Sequence, residues 1–338
     1  MRPTPLFHFL SLSLFCAVLL HAQDATYKAS LSTFAFGSCN KTTLDPTVWK
    51  TIADQQPQAW LWLGDIVYGE AHALQDLENK YRTQKTNPHY QRLTSEAQIF
   101  GVWDDHDYGP NDGGADYAEK EQSKSLLLEF LDIPQAHPVR SRQGVYQAYT
   151  FGEGDQKVAL ILLDIRYFKE PYVPDSDTEQ RYKSNLGSLL GTAQWDWLRD
   201  FLASSDARVH LIGTGIQFLS DKHPYEKWSN FPQAQQQIVA LLDQYPVQNP
   251  IFLSGDRHIA ELSQAQTPAG KTVYDFTSSG ITHSYDVLEA EYNPHRISPL
   301  IVQRNFGLLH FDWAQNRLEF ELLGARGDRL YSHSISLE

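Results

Sequence analysis

Residues 103–114, WDDHDYGPNDGG, gather Asp104, Asp105, Asp107 and Asp112 around His106 and Asn111. Carboxylates crowded this way repel one another unless something cationic sits among them. Solvent, calcium or a catalytic metal are the candidates. Three glycines and Pro110 argue against a helix in this stretch. Counted from Asp105, the spacing lacks the glycine and the terminal glutamate of an EF-hand loop, so that specific calcium motif is excluded.

Four other short stretches carry reactive side chains in similar settings. FGSCN presents Cys39, LGDIVYGE presents Asp65 and Tyr68, LDIR presents Asp164 and Arg166, and SGDRH presents Asp256 and His258. Singly, each has an ordinary explanation: a Gly-Asp turn, a packing tyrosine, a local ion pair, a satisfied core histidine. Together they form a donor set. Thiolate, phenolate, imidazole and carboxylate suit a trivalent or borderline transition metal, and the surplus carboxylate and amide oxygens suit a harder cation beside it. An aspartate bridging two strand ends is a common way to hold two metals about 3.5–4 Å apart.

The elements that must position these groups read as strands. STFAFGSCN (32–40), AWLWLGD (59–65), IFGVWDDHD (99–107), VALILLDIR (158–166), VHLIGTG (209–215) and IFLSGDRH (251–258) are apolar runs with polar C-terminal ends. Helix patterns lie between them. In TAQWDWLRDFLAS Thr192 is placed to cap, with Trp195, Leu198 and Leu202 on one face, and in FPQAQQQIVALLDQY Ala234, Ile238, Leu241 and Leu242 share a face. After residue 258 the pattern changes to TVYDFTSS, FGLLHFDW, RLEFELL and RLYSHSISL, a series of strands. The chain reads as a layered α/β fold ending in antiparallel strands, with ligands at the carboxyl ends of the strands.

The 338 residues are 41% hydrophobic with a formal net charge of −13 and no cluster of lysine and arginine. A nucleic-acid-binding surface is not expected, and an anionic substrate would need a local positive centre. At the N-terminus an apolar run from Leu6 to Leu20 precedes LHAQ, the pattern of a secretory signal peptide cleaved near Ala22. The expectation is a signal peptide over 1–22, a single domain over 23–338, no transmembrane segment in the mature chain, and a secreted or periplasmic location. Loss of Cys16 with the signal would leave Cys39 as the sole cysteine, an unpaired thiol in an oxidising compartment unless buried or ligated.

The ordered motifs G-S-C, G-D-x-x-Y, W-D-D-H-D, L-D-x-R and S-G-D-x-H resemble those of the PhoD-like (alkaline phosphatase D) branch of the metallophosphoesterases, from about Phe34 to the C-terminus. YEKWSNFPQAQQ resembles that family's aromatic stretch before a helix. The resemblance implies a four-layer α/β/β/α sandwich with metals along one edge. It implies ferric ion held by Cys39, Asp65, Tyr68 and His258, with Asp65, Asp105, Asn111 and Asp256 as the calcium candidates. Hydrolysis of phosphomonoesters or phosphodiesters, of small molecules or lipids, would follow by attack on phosphorus of an oxygen that the metals activate. Arg166 would clamp a phosphate oxygen, and His106 would stabilise the transition state or protonate the leaving alkoxide. Asp107, Asp112 and Asp164 would orient their neighbours from behind.

The sequence departs from the family in lacking a twin arginine at the N-terminus and in carrying Lys169 where a second arginine is usual. A non-catalytic calcium-binding module of a cell surface is the competing reading. It would use the acidic loops but leaves Cys39, Tyr68, His106 and Arg166 without a task.

Overall fold

The computed structural model describes residues 25–69, 73–288 and 290–337, so the expected signal peptide lies outside the described residues. The first half runs β1 (Ala25–Tyr27), β2 (Thr33–Gly37), α1 (Val48–Asp54), β3 (Ala59–Leu63), α2 (Leu74–Lys85), α3 (Pro88–Glu96), β4 (Gln98–Val102), α4 (Asp105–Tyr108) and α5 (Lys120–Phe130). There follow β5 (Gln147–Phe151), β6 (Val158–Leu162), α6 (Gly191–Ser204), β7 (Val209–Thr214), α7 (Pro232–Gln244) and β8 (Pro250–Ser254). The chain then continues through β9 (Ala260–Gln266), β10 (Thr272–Ser278), β11 (Asn305–Asp312), β12 (Arg317–Gly324) and β13 (Arg329–Ser336).

Two sheets result, ordered β1-β5-β6-β7-β8-β10-β9 and β13-β12-β11-β2-β3-β4. In the second, β2, β3 and β4 are parallel, with Phe34 opposite Ala59 and Ala59 opposite Gln98, so their carboxyl ends finish level. In the first, β6, β7 and β8 are likewise parallel. The period of two along β3 explains how the sheets are covered. Trp60 and Trp62 meet Trp49 of α1 at ring distances of 5.3 and 4.8 Å, while the intervening Leu61 and Leu63 lie against Gly213 of β7. Phe36 meets Phe276 across the same interface at 5.0 Å. On the far side of the seven-stranded sheet, Ile161, Ile212 and Phe252 form one core with Leu198 and Leu202 of α6 and Ile238 and Leu242 of α7. The arrangement is the α/β/β/α sandwich implied by the motifs. Among the described residues no helix is long and apolar enough to cross a membrane.

Three local features differ from the sequence reading. Residues Asp105–Tyr108 form a helical turn, because the glycines at 109, 113 and 114 all come after it and Asp107 folds back to accept the Asp104 N–H at 3.4 Å. Thr192 does not cap α6: the helix starts at Gly191, whose N–H is met by Ser188 Oγ at 3.0 Å, leaving Thr192 inside the first turn. Strand β9 has no apolar signature because Glu261 and Ser263, both buried, face Asn293, with Glu261 also meeting Gln217 and Arg296. Paired polar groups replaced the alternation that marks a strand.

Candidate metal centre

Cys39, Asp65, Asp104, Asp164 and Asp256 each lie two residues beyond the end of a strand: β2, β3, β4, β6 and β8. Among the described residues of this region, five hold left-handed backbone: Cys39 at φ 65°, Asp65 at 47°, Asp112 at 55°, Asp256 at 67° and His258 at 56°. Such conformations cost about 1–2 kcal/mol each outside glycine and persist only where the surroundings dictate them. At Asp256 the turn is closed by the Arg257 N–H donating to the Gly255 carbonyl at 2.8 Å. The loops are pressed together both within one sheet, at Gly64, and between the two sheets, at Gly255. A Cβ on Gly64 would sit 2.3 Å from Asp104 Cβ, and one on Gly255 would sit 2.5 Å from the Leu63 carbonyl oxygen.

This packing converges the reactive groups. Cys39, Asp65 and His258 offer ligand atoms within 4.8 Å of one another, and Asp65 makes a second such group with Asp105 and His106. Cys39 Sγ lies 3.6 Å from Asp65 Oδ2, and the Tyr68 hydroxyl lies 3.3 Å from His258 Nε2. Two further groups, Asp104–Glu226–Asp256 and Asp105–Asp112–Glu226, adjoin them. Asp65, Asp105, His106, Asn111, Asp256 and His258 line a cavity of about 160 Å³. Asn111 is exposed at its rim.

The residues fit metal ions on three counts. First, Asp65 Oδ1 and His258 Nδ1 are buried with no hydrogen-bond partner among the described residues. Second, the acids resist ionisation in the bare protein. Burial, then the charges of Asp105 and Asp107, push Asp65 well above the carboxylate range; burial, then Glu226, does the same to Asp256. Burial and Asp65 raise the Cys39 thiol and the Tyr68 phenol. Burial holds His258 neutral, at about 3. A cation would displace those protons and reverse each penalty. Asp105 is the exception, since burial is outweighed there by Arg166, His106 and the Asp112 and His106 N–H groups, and it stays below the usual range. Third, thiol, phenol, imidazole and carboxylate make one borderline-soft set around Cys39, and the carboxylates of Asp65, Asp105 and Asp256, which line the cavity beside it, make a harder one.

The geometry corrects the role expected of Arg166. Its side chain is wholly buried and four of its five N–H groups are engaged. Nε reaches Asp104 Oδ1 at 2.7 Å, Nη1 reaches Glu226 Oε2 at 2.9 Å, and Nη2 meets both Asp104, at 2.5 Å, and Glu226. A guanidinium so engaged has no fork to offer a phosphate. Asp107 accepts the N–H groups of Ile66 and Val67, each at 3.1 Å, and so fixes the loop carrying Asp65. Asp112 donates its backbone N–H to Asp105 Oδ2 at 2.8 Å while its carboxylate meets Tyr182 and Arg181. Asp164 touches none of the candidate ligands; it accepts from Trp103 Nε1 at 2.8 Å and from the N–H groups of Val145, Arg166 and Tyr167.

Sequence reasoning missed five further residues that line the cavity, Arg181, Tyr225, Glu226, Arg257 and Tyr285. It also missed His283, whose ring lies 4.3 Å from that of His258 and 5.2 Å from that of Tyr68. YEKW, within the stretch singled out before α7, holds Tyr225 and Glu226 and was the available signal.

A sandwich of this type, with acids and a histidine at the strand ends of both sheets, is the architecture of the metallophosphoesterases. Residues 34–316 match the model of the PhoD-like phosphatases, and the chain belongs to that family. Alkaline phosphatase D of Bacillus subtilis (strain 168) is 23% identical over 290 residues, covering 71% of this chain and 48% of the relative. The chain therefore spans about half the length of that curated relative. The solved structure of PhoD superposes with a TM-score of 0.73 at 17% identity, covering 92% of this chain and 71% of that one, a likeness of fold.

Proposed function

We propose that this chain is a secreted, metal-dependent phosphoesterase acting on phosphomonoesters or phosphodiesters of small molecules or lipids, with ferric ion and calcium as its metals. The observation that carries the reading is the convergence of Cys39, Asp65 and His258 beside Asp105 and His106. Cys39, Asp65, Tyr68 and His258 would hold the ferric ion, and the carboxylates of Asp65, Asp105 and Asp256, with Asn111 at the rim, would hold calcium. When bound, these ions supply Lewis acidity, polarising the phosphate and acidifying the attacking water.

The chain's own residues do the rest. A protein of net charge −13 repels a phosphate ester, so the anion is admitted only where the metals and the cavity's arginines offset that field. His106 is half-buried at the cavity wall, placed to deliver a proton to the departing alkoxide. Asp107 and Asp112 hold Asp65 and Asp105 in place through backbone N–H groups. The apolar run Leu6 to Leu20 supports export.

The test is to purify the protein from its producing cells, measure bound metals and visible absorbance, and assay p-nitrophenyl phosphate and bis-p-nitrophenyl phosphate with and without EDTA. Iron with a phenolate charge-transfer band and EDTA-sensitive turnover support the reading. Iron-free protein inert toward both esters overturns it. An N-terminus near Gln23 in exported protein checks the secretion.

A further inference from the structure

The cavity lining combines two kinds of side chain: the candidate metal ligands, and the arginines and tyrosines Arg181, Tyr225, Arg257 and Tyr285, of which Tyr285 stacks on His258 at a ring distance of 5.0 Å. Within the second set Arg257 is anomalous. It is 1% exposed, yet among the described residues its guanidinium meets one acceptor, Glu291 Oε2, at 2.6 Å. Its Nε–H is buried with no partner among the described residues. Its flat face lies over Tyr225, with the guanidinium carbon 4.5 Å from the ring centroid, and Arg181 covers Tyr225 as well, at 5.2 Å.

A buried guanidinium with unmet donors is costly unless an acceptor arrives. Glu291 and Tyr225 fix its plane while leaving a donor edge unused. Its backbone is fixed too, because the Arg257 N–H closes the tight turn on which Asp256 sits at φ 67°. Arg257 thus stands next to a candidate metal ligand in the chain and lines the same cavity.

We infer that Arg257 is a specificity-determining residue that binds a non-bridging phosphate oxygen and directs the site toward phosphomonoesters. This rests on the phosphoesterase reading above. A monoester dianion presents three non-bridging oxygens carrying two charges. A diester presents two carrying one, and the third position holds a neutral ester oxygen with its substituent. With metals neutralising part of the charge, the additional anionic oxygen of a monoester matches a rigid planar donor, and the ester substituent of a diester does not. Arg166, tied to Asp104 and Glu226, leaves this task to Arg257.

The experiment compares the metal-loaded wild-type protein with Arg257→Gln and Arg257→Lys. Turnover of p-nitrophenyl phosphate is set against bis-p-nitrophenyl phosphate, and binding of phenylphosphonate against dimethyl phosphate is followed by calorimetry. Arg257→Gln is expected to lower the monoester-to-diester ratio of kcat/KM on the order of 10²-fold, the loss of a charge-assisted hydrogen bond, and to weaken phenylphosphonate in the same proportion relative to dimethyl phosphate. Arg257→Lys, which keeps the charge without the fork, is expected to fall between. Elemental analysis and thermal melting accompany each variant, and if Arg257→Gln fails to fold or to keep metal, the comparison is made on Arg257→Lys alone. Unchanged ester and ligand ratios in a folded, metal-loaded variant overturn the inference while the phosphoesterase reading stands. A wild-type protein that turns over neither ester overturns both.

Discussion

Two arginine clusters stand at the same edge of the sandwich and are wired in opposite ways. Arg166 is enclosed by Asp104 and Glu226, and nearly every donor has an acceptor. Arg257, equally buried, meets Glu291 and little else among the described residues, and Asp65 Oδ1 and His258 Nδ1, of residues lining the same cavity, are also without partners among them. A closed network holds loops in place; an open one is completed by something that arrives. The contrast separates the buttress of this site from its working chamber. On the inference drawn above, the arginine of the L-D-x-R motif and the arginine that would meet the substrate are different residues.

The comparison breaks most visibly at Asp65, which belongs to two of the candidate ligand groups. Asp65→Ala is expected to abolish ester turnover and to lose bound metal on elemental analysis. Full metal content in that variant would remove Asp65 from the chamber. His106→Gln is next. It is expected to retain metal and lower kcat on the order of 10²–10⁴-fold. A fully active His106→Gln would show that proton transfer is handled elsewhere.

Arg166→Ala tests the buttress. It leaves Asp104 and Glu226 buried without their counter-ion and is expected to destabilise the fold by about 3–5 kcal/mol in urea unfolding. Unaltered stability with phosphate binding abolished would return Arg166 to the substrate and collapse the distinction.

The smallest expected effect comes from the opposite end of β7. His210 is buried and satisfied at both nitrogens, Nδ1 to the Gln248 carbonyl and Nε2 to Ser205 Oγ, each at 2.9 Å. Burial lowers its pKa from 6.5 to about 4. Between those values the unfolded chain takes up a proton that the fold refuses. The stabilisation is therefore complete above pH 6.5 and is lost as pH falls through 4, a contribution of about 3 kcal/mol. His210→Asn is expected to flatten the stability-versus-pH slope across that window, measured by urea unfolding at several pH values. An unchanged slope would place the acid sensitivity in other groups.

Much of the frame was legible because it is written in apolar runs. Strands β3, β6, β7 and β8 are wholly buried, β2 nearly so and β4 over its last three residues, and so they appear as predominantly hydrophobic stretches. Reactive residues at their ends were legible for the same reason, since a run followed at once by Gly-Asp or Ser-Cys marks where the chain leaves the sheet. Strand β9 was not, because its buried Glu261 is made tolerable by Gln217, Asn293 and Arg296, partners far away in sequence. Arg166 was misassigned on similar grounds. An arginine's type shows that it can grip an anion, but not that Asp104 and Glu226, 62 and 60 residues away, already occupy it. Arg257 sat in plain view inside SGDRH, and only the cavity shows that it faces the same space as the acids.

The close approach at Gly255 has a mechanical consequence. Asp65 follows β3 of one sheet and Asp256 follows β8 of the other, and the two sheets meet there where Gly255 faces the Leu63 carbonyl oxygen, which a Cβ would approach to 2.5 Å. The joint is backbone against backbone with the small Ser38 side chain beside it, so the spacing of the two acids is tied to the packing of the sheets themselves. A single added methyl at Gly255 would act as a wedge there, prising the two acids apart.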